Sequence, residues 1–362
     1  MRLKVKIIVL LICGAFGIGT MASLFIISEN ITHYHNSFIR RFPQHVAELV
    51  HQTDLIYNSY YFAGCGNGKI YLGNYTAPLQ VMVLDSALQT KTIYHIKLKQ
   101  RNVPFRGPEI RVLGDNFYVF EGMVPYVFKG SISNWTASLR INNGSRFSQL
   151  TPIDSVNMAV RYLSPINGEN RIGTLHLGNK VQAKYNSSLL QSQFDGKFDT
   201  DGSLLYNSIL NRIVYVYLYR NQYIVANTNL KLDYRGKTID TVSHAQIQLT
   251  QLKNSNQKTF AVPPLIVNKL SAVQGKLLFV NSELPGMYET DATWKRASII
   301  DVYDLTDKTY RSSFPIYKIS AKKMKAMLVY ENKLYALIDH EIVCYKLREY
   351  VTQNHPARVA TK

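Results

Sequence analysis

An all-β protein, a six-bladed β-propeller preceded by one transmembrane helix, is the architecture this sequence predicts. Three observations predict it: an uncharged apolar run near the N-terminus, a composition suited to pleated sheets, and a hairpin theme that recurs along most of the 362 residues.

The apolar run comes first. Residues 1–6 carry Arg2, Lys4 and Lys6, and no charged residue occurs from Ile7 to Ile27. At about 1.5 Å per residue a helix over residues 7–27 crosses the roughly 30 Å hydrocarbon layer of a bilayer. The basic flank, residues 1–6, should stay in the cytoplasm and place the body outside it, on the periplasmic side of the inner membrane in a bacterium. A cleaved signal peptide, with Thr20-Met21-Ala22 as its small-residue site, is the competing reading, and it exports the body as well. Residues 28–52 read as a juxtamembrane stalk. Its His33, His35, His45 and His51 are taken as polar stalk residues and not as a metal site.

Composition sets the class of the body. Apolar residues are 46% and charged ones only 18%, which provides a core and excludes a disordered chain. Twenty-five tyrosines and a 12% aromatic share suit half-buried strands. The net charge of +18 is spread along the chain, which reads either as a solvated basic surface or as attraction to an anionic surface such as lipid headgroups or an acidic glycan. Nucleic acid is not expected for an exported body. Cys13, Cys65 and Cys344 form no CxxC pair, so zinc and thioredoxin-like chemistry are not indicated. An oxidising compartment would permit a Cys65–Cys344 bridge; two separate buried thiols are the alternative.

The body is assigned to residues 53–349, with 350–362 as a tail. Each repeat opens on a turn residue, followed by two apolar strands joined by a short loop. The openings are Gly68-Lys69, Asp115-Asn116, Asn170-Arg171, Asn211-Arg212, Gly275-Lys276 and Asn332-Lys333. Gly, Asn and Asp accept the positive φ of a tight hairpin. Five steps carry the theme from Ile70 to Leu334, about 53 residues per step, which suits four-stranded blades. Inner strands are expected at residues 56–64, 109–114, 158–164, 203–209, 264–270 and 324–331. Outer strands are expected at 92–98, 136–141, 188–194, 238–249 and 309–317. The spacing is uneven, so seven blades stand as the alternative to six.

The sixth copy runs out after Leu347. An open edge invites aggregation, so a strand from within residues 38–52 is expected to close the ring. The segment HVAELVHQ could instead form a turn or two of helix.

Residues 199–233, DTDGSLLYNSILNRIVYVYLYRNQYIVANTNLKLD, resemble a blade of exported bacterial six-bladed propellers of the TolB-like class. The resemblance is one of blade pattern over about residues 55–347. It implies a binding scaffold and brings no catalytic residues.

No nucleophile elbow, HExxH or P-loop occurs, so neither a catalytic residue, a metal nor a cofactor is assigned. Asp199-x-Asp201-Gly202 resembles the start of a calcium loop but lacks its downstream Glu, since position 210 is Leu. Gly64-Cys65-Gly66-Asn67-Gly68 reads as a hairpin turn. Ligand contacts are expected on long loops at one end of the ring. Arg101 and Arg106 lie on one such connection, and Tyr288, Trp294, Lys295 and Arg296 on another. The function expected is a binding or protein-interaction module. A carbohydrate hydrolase or lyase is the enzymatic alternative, and a structural subunit of a membrane complex, packed through Gly14, Gly17 and Gly19, is the third.

Overall fold

The computed structural model describes residues 3–32, 36–100, 102–178, 180–251 and 258–348. Helix α1 spans Leu3–Thr32. Its Val5–Phe25 stretch has a mean hydropathy of 2.3 and buries none of its surface against the rest of the chain. By length and composition it can cross a membrane, and a signal sequence would have the same features.

Strand β1 (Ala47–Asp54) follows the described stalk residues. Blade 1 is then β2 (Tyr60–Gly66), β3 (Lys69–Asn74), β4 (Gln80–Asp85) and β5 (Lys91–His95), running from the axis outward. A two-residue strand, β6 (Lys97–Leu98), laps onto blade 2, which holds β7 (Glu109–Leu113), β8 (Asn116–Glu121), β9 (Tyr126–Ser131) and β10 (Thr136–Ile141). Blade 3 is β11 (Phe147–Pro152), β12 (Asn157–Leu163), β13 (Asn170–Leu177) and β14 (Val181–Asn186). Blade 4 is β15 (Gly202–Asn207), β16 (Arg212–Tyr217), β17 (Gln222–Asn227) and β18 (Leu232–Lys237). A small hairpin, β19 (Leu249–Gln251) with β20 (Lys258–Phe260), precedes blade 5. That blade is β21 (Asn268–Gln274), β22 (Leu277–Ser282), β23 (Ala297–Asp304) and β24 (Thr309–Tyr317), with a short helix α2 (Asp291–Arg296) in its long loop. Blade 6 is β25 (Met324–Tyr330), β26 (Lys333–Ile338), β27 (Glu341–Leu347) and, outermost, β1.

The ring closes with six blades, and seven is excluded. The inner strands neighbour one another in the order β2, β7, β11, β15, β21, β25 and back to β2. The expected donated strand is present as β1, antiparallel to β27 from Ala47 opposite Leu347 to Asp54 opposite Glu341. It extends two residues past the expected segment and is strand, not helix. Val46 at its start is buried in the blade 5–6 core with Tyr345 and Leu347.

Local chemistry explains the hairpins. Asn67 (φ 50°) and Gly68 (φ 69°) both take the left-handed conformation that a two-residue turn with right-twisting strands requires. The second and third strands of most blades are buried on both faces, because each is sandwiched between neighbouring blades. In β23 all eight residues are buried. Close approach between blades needs small residues: a Cβ on Gly64 would stand 2.2 Å from the Val112 carbonyl oxygen of blade 2.

Blade 3 departs from the expected assignment by one strand. Its inner strand is β11, the expected inner strand is second in the sheet, and residues 188–194 form no strand. The outer strand of blade 4 is β18, whereas 238–248 run as loop. The inner strand of blade 5 begins at Asn268, four residues later than expected. Cys65 and Cys344 are free, yet they share one apolar cluster between blades 6 and 1 with Tyr335. Burial raises the Cys65 thiol to about 11.

Candidate functional site

Antiparallel order in each blade sends the loops between second and third strands, and the links between blades, to one end of the ring. That end is called upper here; the hairpins between first and second and between third and fourth strands lie at the lower end. Both sets of candidate loop residues therefore share the upper end. They are not brought together, since the first links blades 1 and 2 and the second belongs to blade 5.

Of the first set, Arg101 lies outside the described residues. Arg106 is exposed, and its backbone N–H donates to Glu121 at 2.6 Å. It borders an open groove of about 540 Å³ with Pro78, Leu79, Val103 and Phe105.

The blade 5 set is organised around a residue that sequence reasoning placed in a free stalk. Residues 36–41 lie extended against the blade, with Asn36, Phe38 and Arg40 turned inward and Ser37, Ile39 and Arg41 exposed. Asn36 donates to the Pro285 carbonyl at 2.9 Å, the Phe38 carbonyl accepts from the Met287 N–H at 2.8 Å, and the Arg41 carbonyl accepts from the Ser313 N–H at 2.8 Å. Arg40 is the anchor. Its Nε donates to Asp301 Oδ1 at 2.7 Å and Nη2 to Asp301 Oδ2 at 3.0 Å. Nη2 also reaches Ser282 Oγ at 2.9 Å, and Nη1 reaches the Leu284 carbonyl at 3.0 Å and Glu289 at 2.9 Å. All five guanidinium donors are thus used. Burial alone would lower the Arg40 pKa; Asp301 and Glu289 outweigh it and hold the charge more firmly than usual.

Trp294 belongs to the same knot. Its indole N–H donates to Glu289 Oε2 at 2.8 Å, and its ring lies 5.4 Å from the Arg40 guanidinium carbon. It is a cover for Arg40 rather than an open stacking platform. Tyr288 (78% exposed), Lys295 and Arg296 remain at the surface. Tyr317 and Lys322 extend the patch from the end of β24, where the Lys318 N–H donates to the Arg296 carbonyl at 2.8 Å. The signal for this arrangement was the alternation of Asn36, Phe38 and Arg40, a strand-like period in a segment read as polar linker.

Elsewhere the polar features are structural. Asp199 accepts backbone N–H groups from Gln193, Phe194 and Gly196. Burial would raise its pKa, but these donors and Asp195 keep it below the usual carboxylate range. Asp201 pairs with Arg161, which also donates to Tyr215 at 3.0 Å and ties blade 3 to blade 4. Among the described residues no group of three His, Cys, Asp or Glu could hold a metal. Two clefts were not foreseen. A polar one of about 870 Å³ at the lower end, between blades 3 and 4, is bordered by Asp154, His176, Lys180, Lys184 and Tyr206. His176 Nδ1 lies 2.8 Å from Asn157 Oδ1 there. The other, about 410 Å³, adjoins the buried Arg220, stacked 3.7 Å above the Tyr217 ring.

Comparison with known proteins gives a fold and no family. No family model matches the chain, and no curated protein does. Among solved structures, a DUF4221 family member from Bacteroides vulgatus superposes with a TM-score of 0.52 at 12% identity, over 87% of this chain and 99% of that one. The likeness is one of fold. Weaker superpositions, at TM-scores of 0.44 and 0.43, involve the Cps50 (Swd1) β-propeller domain of Myceliophteria thermophila (8% identity, 83% of this chain and 100% of that one) and a chain of a nidogen/laminin complex (12% identity, 71% and 80%).

Proposed function

We propose that the protein is a membrane-tethered, exported propeller that serves as a binding scaffold for another protein or an anionic glycan. The observation that carries this reading is the knot around Arg40. Asn36, only four positions beyond the end of α1 at Thr32, is already seated on blade 5. The link between the helix and the body is therefore short, and the body cannot swing on a long leash. Arg2, Lys4 and Lys6 favour a cytoplasmic N-terminus, and the TolB-like blade pattern fits an exported scaffold. Binding is favoured over catalysis because neighbouring carboxylates are engaged within the fold, Asp195 and Asp199 by backbone N–H groups and Asp301 and Glu289 by Arg40.

A reporter fused after Lys362 should be active outside the cytoplasm, and the protein should stay with membranes through a carbonate wash. A soluble mature form starting near Ser23 would refute the anchor. The reading of the chain as a subunit packed through its helix is favoured by Gly14, Gly17 and Gly19, none of which has a neighbour within 4 Å of a built Cβ. Crosslinking of the full chain and of one lacking residues 1–28 separates the two: partners that survive truncation bind the ring.

A further inference from the structure

The strongest unassigned feature is the exposed surface around the Arg40 knot, whose distance from the membrane is limited by chain length. The apolar stretch of α1 ends at Phe25 and the helix continues to Thr32. Seven further helical residues rise about 10 Å, which carries the chain just past a headgroup layer of about 5–7 Å on one side of a bilayer. From Thr32 to Asn36 an extended chain reaches at most about 14 Å. The upper end of blade 5 is therefore tethered within about 20 Å of the headgroups, close enough for its charges to come within the roughly 8–10 Å over which they act at physiological salt.

What the protein presents there is basic and aromatic. Lys295, Arg296 and Lys322 are exposed, Tyr288 is 78% and Tyr317 60% exposed. The basic residues outnumber the nearby acids: Glu289 and the buried Asp301 share Arg40, Glu283 pairs with Lys269 at 3.1 Å and Lys323 at 3.4 Å, and Asp291 opens α2. Exposed tyrosines beside lysine and arginine are the side chains that favour a membrane–water interface.

We propose that this patch docks on anionic phospholipid headgroups of the membrane that α1 crosses, so that the upper end of blade 5 rests on the bilayer. The inference rests on the anchor reading above. It adds an orientation: the ring leans with blade 5 against the lipid, and the lower end, with its polar cleft between blades 3 and 4, faces away from it. The attraction is electrostatic, and each basic residue near an anionic surface strengthens docking about fivefold.

The test uses the full chain with Cys13→Ser, an environment-sensitive fluorophore on Ala292→Cys in α2, and reconstitution in nanodiscs of phosphatidylcholine alone or with one third phosphatidylglycerol. A second preparation carries the fluorophore at Asn211→Cys, an exposed lower-end turn. Docking predicts a blue-shifted emission at Ala292 in the anionic discs only, reversed by 0.5 M salt, with the Asn211 probe unmoved. The surface variant Lys295→Gln/Arg296→Gln/Lys322→Gln should weaken docking about a hundredfold and abolish the shift, while its melting curve stays that of the parent. Equal emission in both lipids, a shift at Asn211 instead, or a shift that survives the triple variant would overturn the proposal. Retention through a carbonate wash is scored in parallel: a retained protein without the shift refutes docking alone, and a released one refutes the anchor.

Discussion

Arg40 offers the sharpest quantitative test. Its guanidinium and the Asp301 carboxylate are both almost fully buried, and Asp301 lies in the centre of a strand with no exposed residue. Arg40→Ala leaves that carboxylate without its cation. Removing one member of a buried pair costs about 3–5 kcal/mol. The lower end of that range applies here, because Ser313 still donates to Asp301 and Glu289 keeps the Trp294 indole. At about 2–4 °C per kcal/mol for a large domain, the melting temperature should fall by on the order of 10 °C. Arg40→Lys should recover only part of this, since one ammonium cannot supply the donors that reach Asp301, Glu289, Ser282 and the Leu284 carbonyl. The decisive comparison is Asp301→Asn: destabilising in the parent, it should be nearly neutral or stabilising beside Arg40→Ala. Thermal melts of the detergent-solubilised chain measure the parent and all four variants. A loss below about 1 kcal/mol for Arg40→Ala, or the same Asp301→Asn cost in both backgrounds, would refute the idea that the pair holds the stalk to blade 5.

Two more outcomes follow from the geometry. A chain lacking residues 1–54 should form aggregates visible by light scattering, since it exposes the β27 edge that β1 covers, whereas one lacking residues 1–35 keeps both β1 and the Arg40 knot and should remain monodisperse. The Asp195–Asp199 turn should give opposite pH signatures in melts from pH 3 to 7. Asp199 titrates below its unfolded value of about 3.9, so the stability lost in Asp199→Asn is fully present above that pH and vanishes as the pH falls. Asp195 titrates above it, chiefly through burial, so its contribution is present at low pH and fades as the pH rises.

Local signals were the legible ones. Asn67-Gly68 announces a turn because its backbone angles are decided by two residues, and β3, β8, β16, β22 and β26 stand out because strands buried on both faces are nearly continuous apolar runs. The inner strand β11 was not legible. It reads FSQLTP, and a bulge between Phe147 and Gln149 breaks its alternation. Missing it displaced every later assignment in blade 3 by one strand. Residues 188–194 imitate a strand only because Leu189 and Leu190 are buried, which a loop wrapped over a blade edge achieves equally well. The blade 5 loop was legible as long, basic and aromatic. The role of Trp294 was not, because it depends on Arg40 and Glu289, which are 249 positions apart.

The pairing of β1 with β27 gives the chain a clock. A ribosome delivers β1 before any blade exists and β27 after the other five blades, so the ring's first strand must wait for its last. Until Glu341–Leu347 emerge, β1 has no partner strand and β26 is paired on one side only, and contacts this distant in sequence form slowly. Any product that stops short of Leu347, through a premature stop codon or an interrupted translation, is left as an open arc with a hydrogen-bonding edge on show. Proteases and chaperones that survey such edges can thus tell a finished molecule from an unfinished one by a single feature, whether the first strand has found the last.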